Sequence, residues 1–253
     1  MEVKKSGDCQ DGRLNQEKKM KNTEKNQVLS LAEQIPVKDG SVVSLNLESK
    51  GGFEISLYSF SAGESISEQV SFGDTFYYVI QGEGNFGPEK EMKAGEALLV
   101  PHGTPHWSMA KTGLQILYIQ VMKGNETEKD TGKENGKGEN DMFIKNFVHN
   151  EVVELAEQVQ FEKGKIVSKS LVQRDDLTMT LFAFDEGEGV STHAAAGDAF
   201  VVVLEGEAAI TVDGVTKTAV KGQSIIMPAN IPHAVKAVKP YKMLLVVVKE
   251  ERN

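Results

Sequence analysis

The sequence has almost no cysteine and no long apolar run. Cys9 is the single cysteine among 253 residues, and one thiol can form neither an intrachain disulfide nor a four-cysteine zinc site. No segment approaches the roughly 20 apolar residues of a membrane-spanning helix, and the lysine-rich N-terminus lacks the apolar stretch of a secretory signal. We therefore expect a cytoplasmic protein without disulfides or structural zinc.

Basic residues are too few and too scattered to suggest a nucleic-acid partner. The 28 lysines and arginines are outnumbered by 37 acidic residues, whereas binding to a phosphate backbone needs basic side chains gathered on one folded face. The sequence also lacks a Ser/His/Asp arrangement, a paired-carboxylate motif and a phosphate-binding loop. These absences argue against nucleic-acid binding and against several common catalytic routes.

What the chain does contain is an internal repeat. The segment 28–82 aligns without a gap on 152–206, and the tetrapeptide Leu-Ala-Glu-Gln begins both at Leu31 and, 124 positions later, at Leu155. Beyond these segments the offset increases by three residues, which places a length difference in a hairpin loop, where such changes are tolerated. The repeat predicts a duplicated domain.

Polar tracts precede and separate the two copies. Residues 123–141 contain no side chain of a buried type, so they cannot offset chain entropy by burying apolar area. Residues 1–26 have the same character. We predict a disordered and dispensable leader at 1–26, a first domain at 27–122, a flexible linker at 123–141 and a second domain at 142–253.

Short segments rich in β-branched and aromatic residues, separated by glycine turns, predict an all-β fold. Residues 76–80 and 243–248 are examples, and Asp213-Gly214 between two such segments predicts a tight hairpin. Many short strands at regular spacing favour a sandwich or a small barrel.

The glycines, prolines and histidines of both copies follow a common order. In the second copy they are Gly187, His193, Gly206, Gly222, Pro228 and His233. In the first copy they are Gly63, Gly82, Gly95, Pro101, Gly103 and His106. This order resembles the two motifs of the cupin family, G-x5-H-x-H-x3/4-E-x6-G and G-x5-P-x-G-x2-H-x3-N. The resemblance implies a bicupin, two tandem jelly-roll (double-stranded β-helix) barrels from an internal duplication.

The metal-binding positions of these motifs are largely substituted. In metal-binding cupins, three histidines and a glutamate hold a divalent ion inside the barrel. The second copy has at these four places His193, Ala195, Ala199 and His233. The first copy has Gln69, Ser71, Thr75 and His106. We therefore expect any divalent transition metal (Zn, Mn, Fe or Ni) to be bound by His193 and His233 in the second barrel.

Asp198 is adjacent to the position of the missing glutamate. Because neighbouring residues on a strand face opposite sides, its side chain is expected to point away from the metal position. Asp74 recurs at the equivalent place in the first copy, which has no histidine pair. We therefore interpret both aspartates as turn formers after glycine.

Three functions remain open. A small-molecule-binding or sensing protein would use polar residues of the first barrel, namely Gln69, Thr75, Tyr77 and His106. Tyr77 belongs to this set only if Thr75 faces inward, because residues two apart on a strand share a face. The alternative is a metal-dependent cupin enzyme (dioxygenase, decarboxylase or sugar-phosphate isomerase) working at His193 and His233. A structural role for the paired barrels, as a monomer or a homodimer, is the third.

Overall fold

The computed structural model describes residues 20–50, 52–123 and 142–249, so most of the predicted leader and linker lies outside the described residues. The strands before the linker are β1 (Leu29–Ser30), β2 (Val42–Lys50), β3 (Phe53–Phe60), β4 (Ser65–Val70), β5 (Asp74–Gln81), β6 (Glu83–Asn85), β7 (Glu91–Lys93), β8 (Glu96–Val100), β9 (Pro105–Ala110) and β10 (Leu114–Val121). Those after it are β11 (Val152–Glu154), β12 (Ile166–Gln173), β13 (Leu177–Phe184), β14 (Gly189–His193), β15 (Gly197–Glu205), β16 (Glu207–Val212), β17 (Val215–Val220), β18 (Gln223–Met227), β19 (His233–Ala237) and β20 (Tyr241–Lys249).

Each half of the fold contains one six-stranded and one four-stranded antiparallel sheet. In the first barrel the strand orders are β11-β8-β5-β10-β3-β2 and β4-β9-β6-β7. In the second barrel they are β1-β18-β15-β20-β13-β12 and β14-β19-β16-β17. The predicted all-β fold with two tandem barrels is confirmed.

The central strands of the six-stranded sheets are apolar on both faces because both faces are buried. On β5, Phe76 and Tyr78 pack into a core between the barrels, whereas Tyr77 and Val79 pack into the interior of the first barrel. The inter-barrel core also includes residues of the second barrel, and the interior of the second barrel has a core of its own. The two six-stranded sheets therefore pack on each other through one shared apolar layer.

Glycine is required where a strand leaves one sheet for the other. Gly82 and Gly206 adopt φ of +83° and +77°, and a Cβ there would lie 2.0 Å and 1.9 Å from the carbonyl oxygens of Gly113 and Pro240. A side chain would thus meet both backbone strain and a steric clash. These are equivalent positions of the repeat, so the same turn is built in both barrels.

Helix is confined to one turn in each half. The described ranges contain a single α-helix, α1 (Leu31–Gln34), and the repeat of its sequence forms a 3-10 turn at Leu155–Gln158. Among the residues that the structure covers, no helix is long and apolar enough to span a membrane.

The segment that precedes each barrel crosses to the other barrel. We call residues 20–35 arm 1 and residues 142–159 arm 2. Strand β1 of arm 1 pairs with β18 of the second barrel, and β11 of arm 2 pairs with β8 of the first. Each six-stranded sheet is therefore completed by a strand from the other half of the chain.

Asp198 of the second barrel fixes arm 1. Its buried carboxylate accepts hydrogen bonds from the backbone N–H of Met20 (2.8 Å), from Lys25 Nζ (2.5 Å) and from the backbone N–H of Ala229 (2.9 Å). The Met20 side chain is fully buried. The structure thus packs residues 20–26, the end of the predicted disordered leader, against the fold.

Asp74 of the first barrel holds arm 2 in the same way. Its carboxylate accepts hydrogen bonds from the backbone N–H groups of Phe143 (2.6 Å) and Ile144 (2.9 Å), and from that of His102 (3.0 Å). The interpretation of Asp74 and Asp198 as turn formers is therefore wrong: both are buried strand residues that satisfy backbone donors of an arm.

Candidate functional site

Two layers of polar side chains lie at one end of the first barrel. Cross-strand pairing of β3, β10 and β5 sets the residues of each layer side by side. Because residues two apart on a strand share a face, both layers point into the barrel. The layers are Glu54, Gln120 and Thr75, followed by Ser56, Tyr118 and Tyr77.

His106 enters the same region from the four-stranded sheet. It lies on β9 opposite Gln69 of β4, and it is only 3% exposed. Its Nδ1 lies 2.8 Å from the carbonyl oxygen of Thr104. Since a carbonyl only accepts, we assign the ring proton to Nδ1, which leaves Nε2 as a hydrogen-bond acceptor.

This site contains buried polar atoms without partners. His106 Nε2 has no hydrogen-bond partner, and Thr75 Oγ1 makes no hydrogen bond of normal geometry although Tyr118 lies nearby. An unsatisfied buried polar atom costs about 1–3 kcal/mol. Such an atom is typical of a position where a ligand or an ordered water supplies the missing partner.

Aromatic rings form the wall around these atoms. The Tyr77 ring lies 6.0 Å from that of His106 and 5.6 Å from that of Tyr118, which lies 5.6 Å from that of Tyr58. Burial raises the pKa of Tyr77 and of Tyr118, so both phenols are protonated at neutral pH. Gln120 Nε2 donates to the Tyr118 hydroxyl at 2.8 Å, so this hydroxyl can donate its own proton to another acceptor.

The four ligand-site residues expected from the sequence meet in this region. Thr75, Tyr77 and His106 are buried, whereas Gln69 is exposed at the rim. Sequence reasoning missed five residues of the same layers and wall, which are Glu54, Ser56, Tyr58, Tyr118 and Gln120. Their alternation along β3 and β10 could have revealed them, since each set recurs at every second position.

The equivalent end of the second barrel carries a histidine pair. His193 and His233 are cross-strand partners on β14 and β19, with ring centroids 4.5 Å apart. Their Nδ1 atoms lie 3.0 Å and 2.8 Å from the carbonyl oxygens of Ser191 and Ile231. The two Nε2 atoms are therefore the nitrogens that remain to bind a ligand.

The other layers of the second barrel are mostly apolar. They consist of Thr178, Val247 and Ala199, followed by Thr180, Leu245 and Val201. Burial lowers the pKa of His233, and the nearby His193 lowers it further, against the opposing effect of the hydrogen bond to Ile231. His233 is thus neutral at pH 7.

The residues present do not form a complete metal site. No group of three or more His, Cys, Asp or Glu side chains suited to a metal ion occurs within the described ranges. Asp198, which is adjacent in sequence to the position of the missing glutamate, is engaged by arm 1. Two imidazoles provide half of a four-ligand sphere, so an ion at His193 and His233 would need ligands from solvent or from a bound molecule.

Three comparisons relate this geometry to known proteins. The family described as "Cupin domain" matches residues 180–248. A cupin 2 conserved barrel domain protein from Leptotrichia buccalis is 31% identical, with a TM-score of 0.75 over 91% of this chain and 100% of that chain. A conserved protein of unknown function from Streptococcus pyogenes is 45% identical over 44% of this chain and 96% of that chain, with a TM-score of 0.43. The search of curated proteins gave no significant match.

A more distant structure shares the fold. Salicylate 1,2-dioxygenase from Pseudoaminobacter salicylatoxidans, solved as an adduct with gentisate, is 15% identical, with a TM-score of 0.58 over 88% of this chain and 80% of that chain. This similarity extends across both barrels.

Proposed function

Because the chain belongs to the cupin family, we propose that it is a small-molecule-binding or sensing protein whose ligand lies at the polar end of the first barrel. The observation that carries the proposal is the buried, unpartnered Nε2 of His106, with Thr75 Oγ1 close to the same region. The gentisate adduct of the salicylate dioxygenase supports it, because that protein holds a small organic molecule in the same kind of fold.

Hydrogen bonds and ring contacts are the means of recognition that the site offers. His106 Nε2 can accept a hydrogen bond from the ligand, and the hydroxyls of Tyr77 and Tyr118 can donate. The rings of Tyr58, Tyr77 and Tyr118 provide an apolar surface beside these groups. This combination of a few polar groups with an aromatic wall is typical of small-molecule sites.

The test is a thermal-shift screen of a metabolite library against three proteins. We expect at least one compound to raise the Tm of the wild type and of His193→Ala, but not that of His106→Ala. His193→Ala is the matched control, because it removes an imidazole from the second barrel. A library with no stabilising compound, or compounds that stabilise His106→Ala equally, would contradict the proposal.

A metal-dependent enzyme at the histidine pair is the second candidate. The observation that favours it is the fixed orientation of both imidazoles, since a carbonyl bound to Nδ1 is how metal-binding histidines are commonly held. A divalent Zn, Mn, Fe or Ni ion there would supply Lewis acidity. Element analysis of purified protein tests it: metal that is lost in His193→Ala and His233→Ala, and kept in His106→Ala, would support this candidate.

We also propose that the protein is a monomer. The six-stranded sheets already cover each other through the inter-barrel core, so the pairing that two single barrels would make is completed within one chain. Sedimentation at several concentrations should give a constant mass of one chain.

A further inference from the structure

Resting on the proposed function, we infer that the site in the first barrel takes a small organic ammonium ion, that is, an amine protonated at neutral pH. The inference concerns the charge of the ligand and leaves its carbon skeleton open.

The charge of the site is the first argument. Strands β3, β4, β5, β9 and β10, which line it, contain neither Lys nor Arg. Glu54 lies in the first polar layer beside Gln120, which in turn neighbours Thr75. An anionic ligand would meet this carboxylate with no basic side chain on these strands to balance it, whereas an ammonium ion would gain a favourable electrostatic contact.

The hydrogen-bonding atoms are the second argument. His106 Nε2 can only accept in its assigned tautomer, and the Glu54 carboxylate also only accepts. One Glu54 oxygen already accepts from Ser56 Oγ at 2.7 Å, and a carboxylate has room for more donors. An ammonium group has up to three N–H donors and no lone pair, so it matches both of these acceptors. A carboxylate or phosphate could accept from the tyrosine hydroxyls, but its lone pairs would face those of His106 Nε2 and Glu54.

The aromatic wall is the third argument. A cation that lies over an aromatic face is attracted by the negative potential of the ring. Tyr58, Tyr77 and Tyr118 lie side by side next to the polar layers. Burial raises the pKa of Tyr58 and Tyr118, and the negative charge of Glu54 raises both further, in keeping with its place in the neighbouring layer.

The second barrel is an internal control. It has Thr178 in place of Glu54 and Phe182 in place of Tyr58. Its buried His233 and exposed His193 can also accept, but no carboxylate accompanies them in its two layers. The preference for a cation should therefore belong to the first barrel alone.

The experiment sorts the compounds of the thermal-shift library by charge. We expect the compounds that need His106 to be amines. For the amine that binds most tightly, calorimetry should show that N-acetylation, which removes the charge, weakens binding about tenfold. Glu54→Gln should weaken the amine by a similar factor and leave its N-acetyl derivative unaffected. Glu91→Gln, an equal change of charge on the outer face of β7, should leave both affinities unchanged.

The outcomes separate the two proposals. If His106-dependent compounds are found but are neutral or anionic, or if Glu54→Gln binds the amine as tightly as wild type, the ammonium assignment is wrong and the ligand site stands. If no compound depends on His106, the proposed function fails and the inference fails with it.

Discussion

The two barrels come from one repeat, yet position by position their interiors differ. The first barrel has Glu54, Tyr58, Thr75, Tyr77, Tyr118 and Gln120 where the second has Thr178, Phe182, Ala199, Val201, Leu245 and Val247. The glycine turns and the buried aspartates, by contrast, are the same in both. The two barrels thus share the residues that build the fold and differ in the residues of the proposed ligand site, as expected when function resides in a site grafted on a fold.

Removal of residues 20–25, the first part of arm 1, should produce the largest effect, because these residues bond to Asp198 of the second barrel. A chain that begins at Asn26 loses the buried Met20 side chain and leaves Asp198 with fewer donors. We expect a loss of about 4 kcal/mol in the free energy of unfolding, from apolar burial and lost hydrogen bonds. Urea unfolding of chains that begin at Lys19 and at Asn26 isolates residues 19–25. If the two chains were equally stable, the leader would be dispensable, as predicted from the sequence.

Single substitutions of the buried aspartates test whether the two arms are equivalent. Asp198→Ala and Asp74→Ala should each cost about 3 kcal/mol, because each leaves buried backbone N–H groups without an acceptor. Asp175→Ala, at an exposed position, is the control and should change stability little. A large loss for only one of the two aspartates would show that the arms do not contribute equally.

Thr75→Val should separate stability from ligand binding in the first barrel. Valine has the shape of threonine without the poorly satisfied hydroxyl, so the ligand-free protein should gain about 1 kcal/mol. Ser56→Ala, in the next layer, should instead lose about 1 kcal/mol, because Ser56 Oγ donates to Glu54 and accepts from Asn46. Denaturant unfolding without ligand measures both, and a loss of stability in Thr75→Val would mean that its hydroxyl is satisfied.

The smallest expected effect is a pH dependence that belongs to the second barrel. Because the pKa of His233 is lowered in the folded state, the unfolded chain binds a proton more readily as the pH falls below about 6.5. The contribution of His233 is therefore fully present above that pH and is lost as the pH falls toward its folded pKa. His233→Gln should show a shallower decrease in stability between pH 7 and 5 than wild type, and an identical pH profile would contradict this.

The fold and part of the site could be predicted from the sequence. Period-two alternation placed Tyr77 with Thr75. The spacing of the repeat made His106 equivalent to His233 and Gln69 equivalent to His193, and the structure pairs them accordingly across β4/β9 and β14/β19. Each of these predictions depends only on the alternation of residues along one strand or on the spacing of the repeat. Both can be recognised in the sequence without knowledge of distant contacts.

The crossing of the arms was missed because its contacts join distant parts of the chain. Met20 meets Asp198 across 178 residues, and the polar residues around Met20 suggested a free tail. A clue was present: Lys21-Asn22 recurs as Lys145-Asn146 at the same offset of 124, so the repeat begins within the predicted leader. In both arms the lysine N–H bonds a strand of its own barrel, Lys21 to Leu47 and Lys145 to Leu171.

The most direct test of the contrast between the barrels is a crystal structure with the library compound that binds most tightly. We predict one molecule per chain in the first barrel, with a polar hydrogen of the ligand within hydrogen-bonding distance of His106 Nε2, and none in the second barrel. A ligand bound instead at His193 and His233, with the first barrel holding only solvent, would contradict the account.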